Sequence, residues 1–310
     1  MKIKKNDKIF LAGHRGFVGS AIYQKLKIEG FKKIVTVDKK NLNLLDQKNT
    51  FRFIKKHKPK LVIICAAKVG GIKANINYGA DFIYENLQVQ NNLIYGSYVN
   101  GVKKLIFLGS SCVYPKNFKR KIKETDLLSG NLEKTNEPYA IAKIAGVKMC
   151  QAFNKQYATQ YLTLMPCNVY GPGDNNDAEK SHFLAAILKK IYDSKIRNSK
   201  VIKLWGTGIA KRELLFSEDL ADAVIHFIKK NKVNHSLINI GSKNESSIKF
   251  YVKKILKILN IQMRVQFDGN KSLDGTLRKK LDVSLAKKYG WEEKTSFKEG
   301  ILKSYNSLNK

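Results

Sequence analysis

Cysteine is scarce in this chain, and what there is stands apart. Of 310 residues only Cys65, Cys112, Cys150 and Cys167 are cysteine, and no Cys-x-x-Cys pair occurs. That excludes a zinc clip and a disulfide framework, and no metal is expected. Cys65 and Cys150 are expected as small buried apolar residues. No apolar run approaches the roughly 20 residues needed to cross a bilayer, so no membrane partner is expected. Internal repeats, low-complexity segments and long linkers are also missing. The basic start, Met1–Lys8, passes through a short strand into His14-Arg15, too abruptly for a signal peptide. A cytoplasmic protein is the expectation.

Acidic residues are few: 25 Asp and Glu stand against 58 Lys and Arg, a formal net charge of +33. Such an excess invites a nucleic-acid reading. The lysines, however, are scattered at helix-surface spacing, as in Lys55-Lys56, Lys189-Lys190, Lys229-Lys230 and Lys253-Lys254, with no basic stripe interleaved with aromatics. No nucleic-acid partner is therefore expected, and a basic surface suits an anionic small substrate. Hydrophobic residues make up 43%, as in a globular enzyme. The length suffices for one large α/β domain with a smaller lobe.

Strand and helix patterns alternate through the first two-thirds. Strands are expected at Lys8–Ala12, Lys33–Val37, Leu61–Ala66, Lys104–Leu108 and Tyr161–Met165, and helices at Gly19–Glu29, Lys48–His57, Asp81–Asn100 and Tyr139–Gln156. The continuous apolar runs Leu61–Ala66 and Lys104–Leu108 read as strands buried on both faces of a parallel sheet. The fold class expected is α/β, a Rossmann-type doubly wound parallel sheet. The turn-rich Gly171–Asn176 marks a change. Beyond it, helices are expected at Ser181–Asp193, Glu218–Lys230 and Ile248–Leu259, with strands at Val201–Trp205, Leu237–Gly241 and Arg264–Phe267. Residues 1–168, with part of 214–242, would form the nucleotide-binding domain, and 169–310 mostly a C-terminal substrate-binding lobe.

Directly after the first strand comes Gly13-His14-Arg15-Gly16-Phe17-Val18-Gly19, which opens the first helix. Glycines allow a tight turn and close approach of backbone to a pyrophosphate, and the helix N-terminus offers N–H groups and positive dipole. The spacing Gly-x-x-Gly-x-x-Gly is the variant seen in short-chain dehydrogenase/reductases. Asp38 closes the second expected strand, where a carboxylate binds adenine-ribose hydroxyls and favours NAD. Arg15 and Lys39 pull the other way, since cations there pair with a 2′-phosphate. NADP is the expected cofactor, with NAD less favoured. Asp46 either reaches the adenine amine or caps a helix.

Tyr139 and Lys143 lie four apart on one helix face. An ammonium there can stabilise a tyrosinate and bring the phenol from about 10 toward neutrality, which suits proton delivery during hydride transfer to a carbonyl. Ser110, at a nearby strand end, would hold the carbonyl oxygen. Cys112 would share the strand side of Ser110 and point to the same site. On the residues alone, Cys112 reads more as a structural thiol than as a base, and His182 more as a cap or surface residue.

Six segments carry a more specific resemblance. Gly13–Ile22 (GHRGFVGSAI), Ala66–Ile72 (AAKVGGI), Ala80–Tyr84 (ADFIY), Gly109–Lys116 (GSSCVYPK), Thr135–Gly146 (TNEPYAIAKIAG) and Pro166–Gly171 (PCNVYG) resemble the GDP-L-fucose synthases of the extended short-chain branch. Shorter matches at Ser181-His182, Leu204–Gly206, Arg212-Glu213 and Asp274–Asp282 extend the likeness over nearly the whole chain. The resemblance implies an NADP-dependent enzyme that epimerises C3 and C5 of GDP-4-keto-6-deoxy-D-mannose and reduces C4. It implies Ser110, Tyr139 and Lys143 as the reductive set and Cys112 with His182 as the epimerising acid/base pair.

The resemblance further places the cofactor against Ala66 and Ala67, against Leu108 and Gly109, and against Pro166, Asn168, Val169 and His182. It places the nucleotide sugar against Ser110, Ser111, Cys112 and Asn168, and at Lys190, Trp205, Arg212, Asp274 and Lys279. Three positions depart from the pattern: Lys190 where arginine is usual, Cys167 where threonine is common, and Asp38 where an uncharged or basic residue is usual. A homodimer pairing helices Asp81–Asn100 and Tyr139–Gln156 is also implied. Two other readings stay open: a reductase or epimerase of a related GDP-4-keto sugar such as a 6-deoxy-heptose, and a non-catalytic nucleotide-sugar sensor. The sensor would be expected to lack one of Ser110, Cys112, Tyr139, Lys143 and His182, and all five are present.

Overall fold

The aliphatic runs of the first half form a parallel sheet, and the amphipathic segments between them cover it. A computed structural model describes residues 1–116, 118–175, 183–271 and 274–309. Along the chain come β1 (Lys8–Ala12), α1 (Phe17–Ile28), β2 (Lys33–Val35), α2 (Gln47–His57), β3 (Leu61–Ile64), α3 (Ile72–Asn77), α4 (Gly79–Val99), β4 (Lys104–Leu108), α5 (Glu137–Tyr157) and β5 (Gln160–Pro166). Then follow β6 (Asn168–Tyr170), α6 (Phe183–Ile196), β7 (Val201–Leu204), β8 (Lys211–Phe216), α7 (Ser217–Lys229), β9 (Leu237–Ile240), β10 (Glu245–Ser247), α8 (Ile248–Ile258), β11 (Arg264–Phe267), α9 (Ser284–Lys288) and α10 (Phe297–Asn306).

Six strands in the order β2-β1-β3-β4-β5-β9 make one all-parallel sheet. The order reverses at β1/β3, and ligands of such sheets bind at the carboxyl ends of the strands near that point. Every residue of β3 and β4 is buried, as expected of strands covered on both faces. Helices α1 and α7 pack together, and α2, α4 and α5 form a second packed layer. A second apolar core gathers α6, α8, α10 and strands β7, β8 and β11. There β10, β8 and β6 form a three-stranded sheet and β11 pairs with β7.

Local chemistry explains most ends. Asp46 caps α2 by accepting from the Asn49 N–H, and α2 closes on left-handed Lys58 before Pro59. Pro138 sits in the first turn of α5, where its missing N–H costs nothing.

The structure corrects several expectations. β2 stops at Val35, because the Asp38 carbonyl already accepts from the N–H groups of Asn41 and Leu42 in a turn. Asp38 therefore lies three residues beyond the strand instead of closing it. Cys112 is on a single 3-10 turn, Ser111–Val113, and does not share a strand side with Ser110. Cys65 is only half-buried, whereas Cys150 is fully enclosed. Helix α3, strands β6, β8 and β10, and helices α9 and α10 were not read. The expected helix start at Ser181 lies outside the described residues; the described helix runs Phe183–Ile196.

Candidate active site

The glycine loop is built by close packing. Gly13 has φ of +91°, which an L side chain rarely adopts, and a Cβ there would lie 2.6 Å from the Ala66 nitrogen. A Cβ on Gly19 would collide with the Gly13 carbonyl. The loop thus presses β1 against the end of β3 and opens directly into α1, whose N-cap is Gly16, with Phe17 and Val18 in the first turn. The free N–H groups at that helix start form the cradle a pyrophosphate requires.

Beside it the Asp38 carboxylate is met by Arg15 Nε at 2.6 Å and His14 Nε2 at 3.4 Å. Arg15 is 74% exposed, and Lys39 lies exposed next to it. The carboxylate expected to favour NAD is therefore covered by a guanidinium, and the outer surface at this point is cationic. Asp46 directs both carboxylate oxygens to Asn49, one to its N–H at 3.0 Å and one to its amide at 2.6 Å. Of the two readings open for Asp46, the structure shows the cap.

The reductive set assembles where β4 ends and α5 begins. Ser110 follows Leu108-Gly109, and its hydroxyl lies within reach of the Tyr139 phenol and accepts from the Cys112 N–H at 3.3 Å. Tyr139 projects from the first turn of α5. One turn on, Lys143 is 4% exposed and donates to the Leu108 carbonyl at 2.9 Å. Its ammonium sits 4.6 Å from the Phe107 ring centroid and 5.9 Å from that of Tyr139. The elements explain the convergence: β4 delivers Leu108 through Ser110, and the 3.6-residue turn of α5 stacks Tyr139 over Lys143.

The electrostatics differ from the expectation of a phenol brought near neutrality. Burial is the largest effect and pushes the Tyr139 phenol up; negative charge at Cys112 adds to this and the Ser110 hydrogen bond opposes it. Burial also pulls Lys143 down to about 8, with Cys65 weakly opposing. The lysine faces a carbonyl and two aromatic rings in place of a carboxylate, so nothing compensates its lost hydration. Tyr139 is thus a firmly protonated donor at neutral pH, and Lys143 is the group poised to titrate.

That burial has a cost to folding. Lys143 holds a pKa of about 8 against 10.5 when exposed, so the penalty is fully present below pH 8 and disappears as pH rises toward 10.5. The shift corresponds to about 3 kcal/mol. Lys143→Met should therefore abolish turnover while raising stability at pH 7 by roughly 1–2 kcal/mol, once about 1 kcal/mol for the lost hydrogen bond is deducted. Thermal melting at pH 7 and at pH 10.5 checks this. The gain should shrink at the higher pH, and a variant melting below the parent at pH 7 contradicts the assignment of a strained lysine.

Within electrostatic reach of Cys112, β8 and the segment 278–280 run side by side through a bridge between Lys211 and Arg278. Alternation then puts Arg212 and Lys279 on one side and Glu213 and Lys280 on the other. Glu213 and Lys280 form a buried ion pair at 2.9 Å, and Glu213 also accepts from the N–H groups of Ser242 and Leu281. Arg212 is fixed by the carbonyls of Lys211, Thr276 and Asp274. Arg212 and Lys279 are both within electrostatic reach of Cys112, and burial lowers the pKa of each. Lys279 makes no hydrogen bond to an acceptor among the described residues.

Other expected site residues fall around these. Ala66 and Ala67 follow β3, Pro166 ends β5, and Asn168 and Val169 lie in β6, all at the carboxyl edge of the sheet. Ser111 is buried in the 3-10 turn beside Cys112. Cys167 is buried, with its thiol well above the usual range through burial. Asp274 is 5% exposed and turned inward, accepting from the Thr207 N–H at 2.8 Å and hydroxyl at 2.7 Å. It supports the turn that carries Trp205. Trp205 is 45% exposed, with the Lys190 ammonium 4.8 Å from its ring centroid. His182 lies outside the described residues. The buried Glu213–Lys280 pair was missed. Its only signal was charge of opposite sign in two otherwise unremarkable motifs.

The sequence pattern of the NAD dependent epimerase/dehydratase family matches residues 9–241. The chain is 44% identical to a GDP-L-fucose synthase of Sinorhizobium fredii over 99% of this chain and 97% of that protein. A crystal structure of a GDP-6-OMe-4-keto-L-xylo-heptose reductase from Campylobacter jejuni superposes with a TM-score of 0.91 at 33% identity, covering 100% of this chain and 99% of that one. A GDP-mannoheptose C4 reductase from Campylobacter jejuni with NADP bound gives a TM-score of 0.88 at 34% identity, covering 99% of this chain and 100% of that one. With its glycine loop, its Ser110–Tyr139–Lys143 set and these relatives, the chain belongs to the NAD dependent epimerase/dehydratase family, among the GDP-L-fucose synthases.

Proposed function

We propose that this protein converts GDP-4-keto-6-deoxy-D-mannose to GDP-L-fucose with NADPH. The observation that carries the reading is the convergence of Ser110, Tyr139 and Lys143 beside Cys112, together with a glycine loop shaped for a dinucleotide. Identity of 44% to a GDP-L-fucose synthase over nearly the full length supports it.

The chemistry follows from the ketone. A C4 carbonyl acidifies the protons on C3 and C5. The Cys112 thiolate takes one such proton, and the resulting enolate charge collects on the C4 oxygen, where Ser110 and Tyr139 donate hydrogen bonds. Return of a proton from the opposite face inverts the centre, and His182 is assigned as the partner acid on the sequence alone. The bound cofactor supplies the hydride for C4. Tyr139 gives its proton to the developing alkoxide, which is far more basic than a phenol even when burial has raised that phenol. Lys143 holds positive charge beside the phenol and is placed to orient the cofactor ribose.

Arg15 and Lys39 would hold a 2′-phosphate, Arg15 exchanging Asp38 for the phosphate. Arg15→Ala should raise the KM for NADPH about tenfold while leaving that for NADH nearly unchanged, since one charge-assisted contact is worth about 1.5 kcal/mol. Equal effects on both cofactors in initial-rate measurements contradict that role. The division into a dinucleotide domain of 1–168 with part of 214–242, and a substrate lobe, belongs to the same proposal. So does a homodimer through α4 and α5, whose outer faces leave Tyr84, Tyr95, Val99 and Ile141 exposed.

The test is incubation with GDP-4-keto-6-deoxy-D-mannose and NADPH, with the product identified by NMR. GDP-L-fucose in a one-to-one ratio with NADPH consumed is expected, and its absence rejects the reading. A second reading, a related GDP-4-keto heptose as substrate, is favoured by the closeness of the heptose reductase fold. Turnover of a heptose substrate with no GDP-L-fucose formed would select it.

A further inference from the structure

Helix α3 approaches the segments that carry Gly275 and Trp205 through two consecutive residues. Ile72 comes so close to Gly275 that a Cβ there would lie 3.6 Å from Ile72 Cδ1, and 3.8 Å from an Arg212 guanidinium nitrogen. The next residue, Lys73, sets its ammonium 4.3 Å from the centroid of the Trp205 ring. Lys190 approaches the same ring from α6 at 4.8 Å while donating to the Lys203 carbonyl at 3.0 Å. Lys73 is exposed and has no carboxylate partner among the described residues.

Two ammonium groups on one indole repel each other, and a single exposed cation–π contact returns little. The nearby Asp274 carboxylate is already held by Thr207. Arg212 adds a third cation at Gly275, on the side facing α3. The arrangement has an excess of positive charge converging from three elements, α3, α6 and β8; the Asp268 carboxylate, which is in electrostatic reach of Lys190, already accepts from the N–H groups of Gly206 and Asn270. An indole beside the cations offers a flat apolar surface of the kind a sugar or base packs on.

We propose that Lys73 is a further substrate-positioning residue, which together with Lys190 and Arg212 grips the diphosphate of the nucleotide sugar across the cleft. This rests on the reading that the substrate is a nucleoside-diphosphate sugar and adds a contact made from the nucleotide domain. Lys73 turns from Trp205 to the phosphate oxygens when substrate enters, so α3 closes the cleft over the diphosphate. Its contact is with the diphosphate and not with the ketone, which leaves the chemical step untouched.

The experiment measures GDP binding by calorimetry, and initial rates with the GDP-4-keto sugar, for the parent, Lys73→Met, Lys73→Arg and the charge control Lys253→Met. Lys73→Met is expected to weaken GDP binding and raise the KM for the sugar nucleotide about tenfold, as for loss of one charge-assisted hydrogen bond. Its kcat and its KM for NADPH should stay within twofold. Lys73→Arg should restore most of the affinity, and Lys253→Met should match the parent. Lys73→Met binding GDP as tightly as the parent overturns the proposal, as does an equal loss in Lys253→Met or a parent that does not bind GDP. A parent that binds GDP but forms no GDP-L-fucose rejects the product assignment, and the binding comparison still decides the role of Lys73.

Discussion

Tyr139→Phe is expected to lower reduction of the C4 ketone by about 10³-fold, within the range typical for loss of a positioned proton donor. The substitution removes one oxygen, the one within reach of the Ser110 hydroxyl. The ring remains, together with its edge-to-face contact with Phe82 at 6.3 Å. The fold and NADPH binding should therefore persist, as fluorescence titration of the cofactor would show. Burial keeps the Tyr139 proton in place through neutral pH, so this phenol contributes no limb to the pH profile there. The limb comes from Lys143, which loses its proton as pH rises through about 8. Activity should fall above that pH, and the fall should be absent from cofactor binding measured with Lys143→Met. A Tyr139→Phe enzyme reducing the ketone at a tenth of the parent rate or better would remove Tyr139 from the chemistry.

Cys112→Ser is expected to slow exchange of the C3 and C5 protons with solvent by about 10²–10³-fold. A thiol near 8.5 reaches its anion at neutral pH far more readily than a serine hydroxyl. Arg212 and Lys279 are in electrostatic reach of Cys112 from the facing strand pair. Deuterium uptake from D2O, followed by NMR without NADPH, reads this step apart from reduction. Because Ser110 and Tyr139 are untouched, the variant should still reduce the ketone it is given, yielding a sugar not inverted at C3 and C5. Undiminished uptake would show that another base does the work.

Much of this was legible from residue pattern because the parallel sheet writes itself plainly. β3 and β4 are buried along their whole length and read as unbroken aliphatic runs, and β1, β4 and β11 match their expected bounds. The Tyr139–Lys143 spacing gave the stacking of the two side chains, since only helix periodicity was needed. What sequence could not give was set by tertiary contacts. β6, β8 and β10 are three to six residues long and take their pairing from strands far away in sequence. The direction of the Tyr139 and Lys143 shifts depends on enclosure by Phe107 and Leu108, invisible in a four-residue motif. Asp38 and Arg15 pulled in opposite directions in the sequence, and their direct contact is a tertiary fact that the spacing does not show. Lys73 was one lysine among many, and only its approach to Trp205 sets it apart.

The pairing of β8 with residues 278–280 has a kinetic consequence. On the rear of Arg212 and Lys279, the buried Glu213–Lys280 pair ties both backbone segments into the interior. The front charges are therefore rigidly mounted, with little loss of freedom left to incur when a polyanion arrives. Capture of the nucleotide sugar should be fast and steeply weakened by added salt, and its escape, not its entry, should be the step that distinguishes a good substrate from a poor one.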